Sequence, residues 1–419
     1  MTKPNKIGRR EFLRRSTAGA VGLGMTAGMA RNVLGANDRI RVGVIGVGGM
    51  GGHHLSNLVE YQKKGKENVE VVAVCDAFEK RRLRAKQVTG GKADDYIDYH
   101  EMIDRKDIDV CWTATPDHVH APVSIDVMES GKDIYCEKPM TRFWEQAKRV
   151  YATVKKTNRI MQIGSQSCSS PCWHKAGELI KEGKIGKLVW VQTSAVRNAR
   201  KDTDERDYTI DAEGNEKTVF WKGFLAEHPM RTFDPVRFFR WRKFWDYSGG
   251  ITTEWFSHNL HKLMPVIGMD YPVRAVAGGG VYCWKGDREP PTTIHVVVDY
   301  PAGHSVMLLG CMVNEHGVST VVHGHEANMF IGSTITIRPE AALDEEGERQ
   351  TEQIRVGGAP QGDEVASHHH NFLECVRSRK EPNCSVEYGL RAMAAICMAN
   401  DCYRENKVKF FNAEKMEIV

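Results

Sequence analysis

The sequence predicts an α/β protein: an N-terminal Rossmann-type, doubly wound parallel sheet followed by an α+β domain with a large, mostly antiparallel open-faced sheet. Up to about residue 163, apolar strand-like runs alternate with helical patterns, the signature of βαβ units. Beyond Gly164, strand-like runs follow one another with few helices between them. A chain of 419 residues with 41% hydrophobic content can bury two such cores. The expected division is 1–36, 37–163 and 164–419.

The first segment reads as a twin-arginine signal peptide. Gly8-Arg9-Arg10-Glu11-Phe12-Leu13-Arg14 precedes a weakly apolar, glycine-containing stretch over 18–30, with small residues near Ala30 and Ala36 as cleavage points. That stretch is shorter than the roughly 20 residues needed to span a bilayer, so no stable membrane insertion is expected. The expected location is the periplasm, or another compartment reached by the twin-arginine route. Residues 1–36 hold seven Lys/Arg against one acid, so the net charge of +4 becomes about −2 without them. No basic patch for nucleic acid remains.

The second segment opens with the most specific motif. An apolar strand over 40–45 feeds Gly46-Val47-Gly48-Gly49-Met50-Gly51, and a second strand over 69–75 ends in Asp76. Gly46 allows the tight turn, Gly48 the close approach of a pyrophosphate, and Gly51 the close packing of the next helix. Phosphates would sit on that helix's N-terminus, where free N–H groups and the helix dipole favour anions. Asp76 can accept both ribose hydroxyls and repels a 2′-phosphate, which points to NAD. NADP stays open, because Lys80, Arg81 and Arg82 follow and could receive that phosphate.

Further strands over 110–114, 134–136 and 160–163 complete this sheet, with helices over 80–88, 121–130 and 143–156 between them. Thr115-Pro116-Asp117 with His118 and His120, then Glu137-Lys138-Pro139, then Gln166 follow the strand ends, where open α/β sheets bind ligands. Thr115, Pro116, His118, His120, Glu137, Lys138 and Gln166 are therefore cofactor-side candidates. Lys138 can also reach a reacting group.

In the third segment, strands are expected over 188–193, 273–277, 294–300, 306–309, 320–323 and 334–337, and helices over 370–377 and 386–404. Gly249-Gly250 opens a helix carrying Glu254, His258 and His261. The i,i+4 spacing lets Glu254 orient His258 as a base for a hydroxyl proton, with His261 on much the same side. Read alone, these histidines fit a structural role as well as a catalytic one, with metal ligation the lesser alternative. The aromatic, arginine-rich stretch 197–247 is expected to form one wall of the pocket, its rings suited to stacking on sugar faces. His368-His369-His370 reads as a solvated helix start. Most of the eleven cysteines read as free thiols, and Cys168, Cys172 and His174 lack the second pair that a zinc site needs.

These motifs, with Gly183-Lys184-Ile185-Gly186 and 371–379, resemble the Gfo/Idh/MocA oxidoreductases over residues 39–419. The resemblance implies a two-domain subunit that forms a dimer or tetramer through its open sheet. It also implies that Lys138 contacts the reacting substrate hydroxyl and that the helix bearing His258 supplies further catalytic groups. Glu254 and His261 stand where the family pattern has two aspartates. The segments Trp241 to Trp245 and Tyr247 to Gly250 look like a branch found in exported members. Outside the cytoplasm no pool replenishes NAD, so the cofactor is expected to stay bound. Three readings follow: a sugar or polyol oxidoreductase; a redox-neutral glycoside-cleaving enzyme working by oxidation, elimination, hydration and reduction; or a non-catalytic NAD-binding protein, against which intact Lys138 and His258 argue.

Overall fold

The computed structural model describes residues 39–198, 209–283, 286–332, 334–340, 354–356 and 363–419; the leader expected at 1–36 lies outside the described residues. Six parallel strands, β1 (Ile40–Ile45), β2 (Val69–Cys75), β3 (Asp94–Tyr96), β4 (Val110–Thr113), β5 (Asp133–Glu137) and β6 (Met161–Gly164), build the first sheet. Their order is β3-β2-β1-β4-β5-β6. Helices α1 (Gly49–Lys64), α2 (Glu79–Val88), α3 (Tyr99–Ile103), α4 (Asp117–Glu129) and α5 (Trp144–Thr157) connect them. Val42, Val44, Val110, Ile134 and Ile163 are fully buried, which is why these strands read as unbroken apolar runs. Strand order reverses between β1 and β4, opening a crevice at their carboxyl ends.

The acidic edge strand β3 and the short α3 escaped the sequence reading. Asp94-Asp95-Tyr96 shows no strand period, and its place is set by pairing with β2 and by Asp95, which binds Lys86 at 2.7 Å and also Arg82. Helix α4 begins at Asp117 rather than near residue 121, directly after Pro116.

The second sheet comprises β7 (Leu188–Asn198), β8 (Arg274–Gly280), β9 (Thr293–Tyr300), β10 (His304–Cys311), β11 (Val313–Asn314), β12 (Val321–Gly324), β13 (Ala327–Ile331), β14 (Ile335–Pro339), β15 (Ile354–Val356), β16 (Lys409–Asn412) and β17 (Glu417–Ile418). The order is β15-β14-β13-β12-β7-β10-β9-β8-β16-β17, with β11 paired to β7. Its pairings are antiparallel except β7 with β10. Alternation along β9 puts Ile294, Val296, Val298 and Tyr300 inward, beneath α6 (Pro171–Lys181), α9 (Ser257–Ile267) and α11 (Val386–Glu405). Val276 and Phe410 lie on the uncovered side.

Two segments do not stay with the sheet that their sequence position suggests. Helix α10 (Glu364–Ser378), which follows β15, inserts Phe372 and Leu373 into the first core beside Trp112 and Tyr135, with the Phe372 and Trp112 rings 4.9 Å apart. Residues 37–163 alone therefore do not close that core. Between β7 and α9, residues 209–247 carry the short helices α7 (Trp221–Leu225) and α8 (Pro235–Phe239). They fold around an apolar cluster of Phe224, Phe238, Phe239, Phe244 and Tyr247 that takes in Phe78 from the end of β2. Backbone bonds fasten this lid to the first domain: Phe220 N–H to the Ala77 carbonyl at 2.7 Å and Glu79 N–H to the Thr218 carbonyl at 2.9 Å.

Candidate active site

A cleft runs from the glycine turn to the start of α9. At one end, Gly46 has φ of +77°, and a Cβ there would stand 2.9 Å from the Ala114 carbonyl oxygen. A Cβ on Gly51 would come within 1.7 Å of the Gly46 carbonyl oxygen, so only glycine lets α1 start this close to β1. Gly46, Gly48, Gly49 and Met50 line the cleft. Val47 instead turns its N–H onto Asp76 Oδ2 at 2.9 Å, while Phe78 N–H meets Asp76 Oδ1 at 2.9 Å. Burial raises the Asp76 carboxyl, against Arg81 and these two N–H donors. Each oxygen keeps a lone pair for a ribose hydroxyl.

The three cations after Asp76 separate. Lys80 is held by Glu213 at 2.6 Å and Asp211 at 2.9 Å, and Arg82 by Asp95. Arg81 alone of the three lines the cleft, its guanidinium 5.5 Å from the Phe239 ring centre. Of the stretch 197–247, residues between Phe220 and Arg242 form a wall of the cleft, and a large part of it lies at the cofactor end: Phe220, Phe224, Phe238 and Phe239 line the cleft together with Arg81 and Asp76, while residues 199–208 lie outside the described residues.

At the other end, Thr115, Pro116, Asp117, Glu137, Lys138, Gln166, Arg242 and His258 line the same cleft. Lys138 Nζ stands 3.7 Å from Glu254 Oε2, and Arg242 Nε 2.8 Å from Glu254 Oε1. Burial, then the like charge of Glu254, pushes the Asp117 carboxyl up to about 7, against Lys138, Arg242 and a contact from Thr253. His258 Nδ1 lies 3.1 Å from Ser165 Oγ. Burial, then Lys138, holds the His258 imidazole down at about 3, so it is neutral, with the Nε2 lone pair free to accept a hydrogen bond when Nδ1–H faces Ser165.

Two expectations for this helix need correction. Glu254 does not orient His258: residues Thr252–Phe256 form a π-turn, whose wider i→i+5 spacing breaks the i,i+4 stacking, and Glu254 serves Arg242 and Lys138 instead. His261 does not line the cleft. It is 1% exposed, among the described residues neither ring nitrogen has a hydrogen-bond partner, and burial, then His368 and Lys138, lowers it to about 3. A step of three residues turns an α-helix about 60° short of a full circle, enough to carry His261 into the interior.

Nor do His118 and His120 face the cleft. His118 donates from Nε2 to the Phe224 carbonyl at 2.6 Å, tying α4 to the lid. His120 donates to two carbonyls, Pro139 at 2.6 Å and Thr115 at 2.9 Å, which takes both ring N–H groups. Burial opposes its charge, but Cys136 and the two carbonyls outweigh that and raise its pKa. The result is a staple joining the loop after β4 to the loop after β5.

Gln166 donates to Glu137 Oε1 at 2.9 Å and to the Tyr135 hydroxyl at 3.1 Å. The histidine run is not a solvated helix start. His368 and His369 are fully buried, and only His370 is exposed, paired with Glu67 at 2.9 Å. Asp117, Ser165, Arg242 and His54 were absent from the sequence candidates. Asp117 had a signal, an acid directly after Thr-Pro at a strand end. Arg242 sat unremarked within an aromatic run, and Ser165 and His54 are recognisable only from their partners. Among the described residues, no cluster of three or more His, Cys, Asp or Glu is placed to hold a metal.

The glycine cradle, the buried Asp76 with spare lone pairs and one cleft reaching both Asp76 and Lys138 fit a dinucleotide. Fold and site together define a two-domain, dinucleotide-binding oxidoreductase architecture. Residues 40–165 match the model described as "Oxidoreductase family, NAD-binding Rossmann fold", and residues 224–409 the model described as "Oxidoreductase family, C-terminal alpha/beta domain". The chain belongs to the Gfo/Idh/MocA oxidoreductase family, and its first domain is the family's NAD-binding domain. It is 31% identical over 153 residues to inositol 2-dehydrogenase of Salmonella paratyphi B, covering 36% of this chain and 44% of the relative. Levoglucosan dehydrogenase of Pseudarthrobacter phenanthrenivorans is 38% identical over 146 residues, covering 34% and 35%. A glycosyl hydrolase family 109 protein of Shewanella baltica is 26% identical over 251 residues, covering 52% and 51%. The chain thus spans about half or less of these curated relatives. Levoglucosan dehydrogenase in complex with NADH and levoglucosan superposes with a TM-score of 0.66 at 18% identity, over 91% of this chain and 99% of that one, which shows the shared fold.

Proposed function

We propose that this protein is an NAD-dependent dehydrogenase acting on a hydroxyl of a sugar, polyol or related carbohydrate, with the nicotinamide held through the whole cycle. The observation that carries this reading is the meeting of His258 and Lys138, itself paired with the buried Glu254, in the cleft that also contains the glycine turn and Asp76. The names of the inositol and levoglucosan dehydrogenase relatives support the substrate class.

Gly46, Gly48, Gly49 and Asp76 would hold NAD, which when bound supplies the hydride acceptor. Lys138, steadied by Glu254, positions and polarises the substrate hydroxyl. His258 takes the hydroxyl proton at Nε2 while Ser165 fixes its ring. Such a positioned base contributes about 10²–10⁴-fold to the rate. The lid's phenyl groups exclude water and slow nucleotide release. The leader at 1–36 directs the folded, nucleotide-loaded protein out of the cytoplasm, and the open face around Val276 and Phe410 joins subunits into a dimer or tetramer.

The test is to denature protein purified without added nucleotide and quantify what it releases, then assay polyols and sugars. Near-stoichiometric NAD and oxidation of at least one such substrate are expected; an empty protein inert toward all of them sinks the proposal. Replacing Arg9 and Arg10 by lysine should keep a reporter fusion in the cytoplasm, and light scattering of purified protein should give a dimer or tetramer.

A second reading, redox-neutral glycoside cleavage, is favoured by Asp117. This carboxyl, raised toward neutrality beside Lys138, supplies the additional acid–base group that elimination next to a transient ketone needs. Release of an aglycone without net NADH formation, lost in Asp117→Asn, would select it over the first.

A further inference from the structure

A hydrogen-bonded chain runs from the surface to the cleft behind the glycine turn. The Tyr61 hydroxyl lies 3.4 Å from His369 Nδ1, His369 Nε2 lies 2.8 Å from His54 Nδ1, and His54 Nε2 lies 2.8 Å from Glu137 Oε1. One set of tautomers satisfies every link: Tyr61 O–H donates to His369, His369 Nε2–H to His54, and His54 Nε2–H to Glu137. His54 and His369 are essentially inaccessible, and Tyr61 is half-buried. Glu137 also accepts from Gln166 Nε2 at 2.9 Å and from the Lys138 backbone N–H at 3.2 Å. So many donors on one side chain are the surroundings of a permanent carboxylate. Burial works against that charge, but His54, with Lys138 and His258 near, holds Glu137 down at about 2.

Glu137 lines the cleft at the end opposite Asp76. A dinucleotide with its adenosine ribose on Asp76 puts its nicotinamide at that opposite end. The oxidised ring carries one positive charge more than the reduced ring, so a fixed carboxylate there favours the oxidised form. Around Glu137 stand His54, Lys138, His258, His368 and Tyr135; Lys138 is already engaged by Glu254, which also holds Arg242.

We propose that Tyr61, His369 and His54 are positioning residues that fix Glu137 as a carboxylate at the nicotinamide end of the cleft, so that the protein binds NAD⁺ in preference to NADH and the bound couple has a lowered reduction potential. This rests on the reading of the cleft as a hydride-transfer site. For a cofactor that is never exchanged, it makes the reduced form a stronger hydride donor and so speeds the return half of the cycle.

Full-length protein, freed of any bound nucleotide, is titrated with NAD⁺ and with NADH, following the change in protein fluorescence, and the ratio of the two dissociation constants is taken for each variant. Glu137→Gln should move the ratio toward NADH by about tenfold or more, and a tenfold change is about 30 mV for a two-electron couple. Tyr61→Phe, which keeps the ring and deletes only the outermost donor, should move it the same way by less. His54→Phe, which removes the main donor to Glu137, should move it the same way by more than Tyr61→Phe does. If all three variants bind both nucleotides with the wild-type ratio, the proposal is overturned. If wild type binds neither nucleotide, the cofactor reading beneath it fails instead.

Discussion

Arg242 in the lid and Glu254 in the π-turn before α9 form an ion pair at 2.8 Å, so the segment that closes the cofactor end also fixes the carboxylate that steadies Lys138. Arg242→Met leaves Glu254 buried with one cationic partner fewer. Removing one member of a buried pair costs about 3 kcal/mol. Thermal unfolding should show that loss, and stopped-flow release of NADH should be faster than in wild type. A variant that releases nucleotide at the wild-type rate would mean that the lid closes without this pair.

Lys138→Ala should lower turnover by about 10²–10³-fold, the usual loss when one preorganised donor to a reacting oxygen is removed. In the proposed role Lys138 Nζ, paired with Glu254, acts on substrate rather than on nucleotide, so NAD affinity should change by no more than a few-fold. Full activity in this variant, once a substrate is known, would remove both catalytic readings.

The Asp117 carboxyl is raised from its usual value to about 7, so its effect on stability has a definite sign. A raised carboxyl contributes stability below its unfolded pKa, near 4, and loses it as pH climbs through about 7. Asp117→Asn should therefore gain on wild type across that window, by on the order of 2 kcal/mol at its upper end. Denaturant midpoints at several pH values would show this, and the pH profile of kcat/KM should lose an ionisation near neutrality. Parallel stability curves would place the carboxyl's titration elsewhere.

Asp76 and Arg81 set the nucleotide preference between them. Asp76→Ser removes the charge that repels a 2′-phosphate while leaving Arg81, the one cation of the three that faces the cleft, to receive it. Affinity for NADPH should rise by about tenfold or more, and affinity for NADH should fall. Unchanged selectivity would mean that Arg81 stays on the phenyl cluster when nucleotide binds.

Phe372 is fully buried against Trp112 and Tyr135. Phe372→Ala should cost about 3–5 kcal/mol by the lost burial and the cavity left behind. A loss below about 1 kcal/mol would show that α10 does not close the first core.

Much of this molecule was legible in its residues. Periodicity and the glycine motif gave the parallel sheet and its nucleotide turn, because burial on both faces writes an unbroken apolar run. What stayed hidden depended on partners far apart in the chain. His54 is one residue of a helix until His369, more than three hundred positions later, meets its ring. Three adjacent histidines look like a solvated cluster unless α10 is known to return to the first sheet. The error at Glu254 has a local cause: the sequence gives no sign of a π-turn, so α-helical spacing assigned it to His258 when its charge belonged to Arg242 and Lys138.

The return of α10 also orders events in time. The wall behind the glycine turn is made partly of His369, Phe372 and Leu373, which emerge from the ribosome long after β1 and α1. A nascent chain that has finished its first six strands still lacks that wall. For the resident cofactor proposed above, loading is therefore expected to follow the synthesis of α10, and a truncation just before α10 should yield a chain that presents its glycine motif yet does not keep NAD.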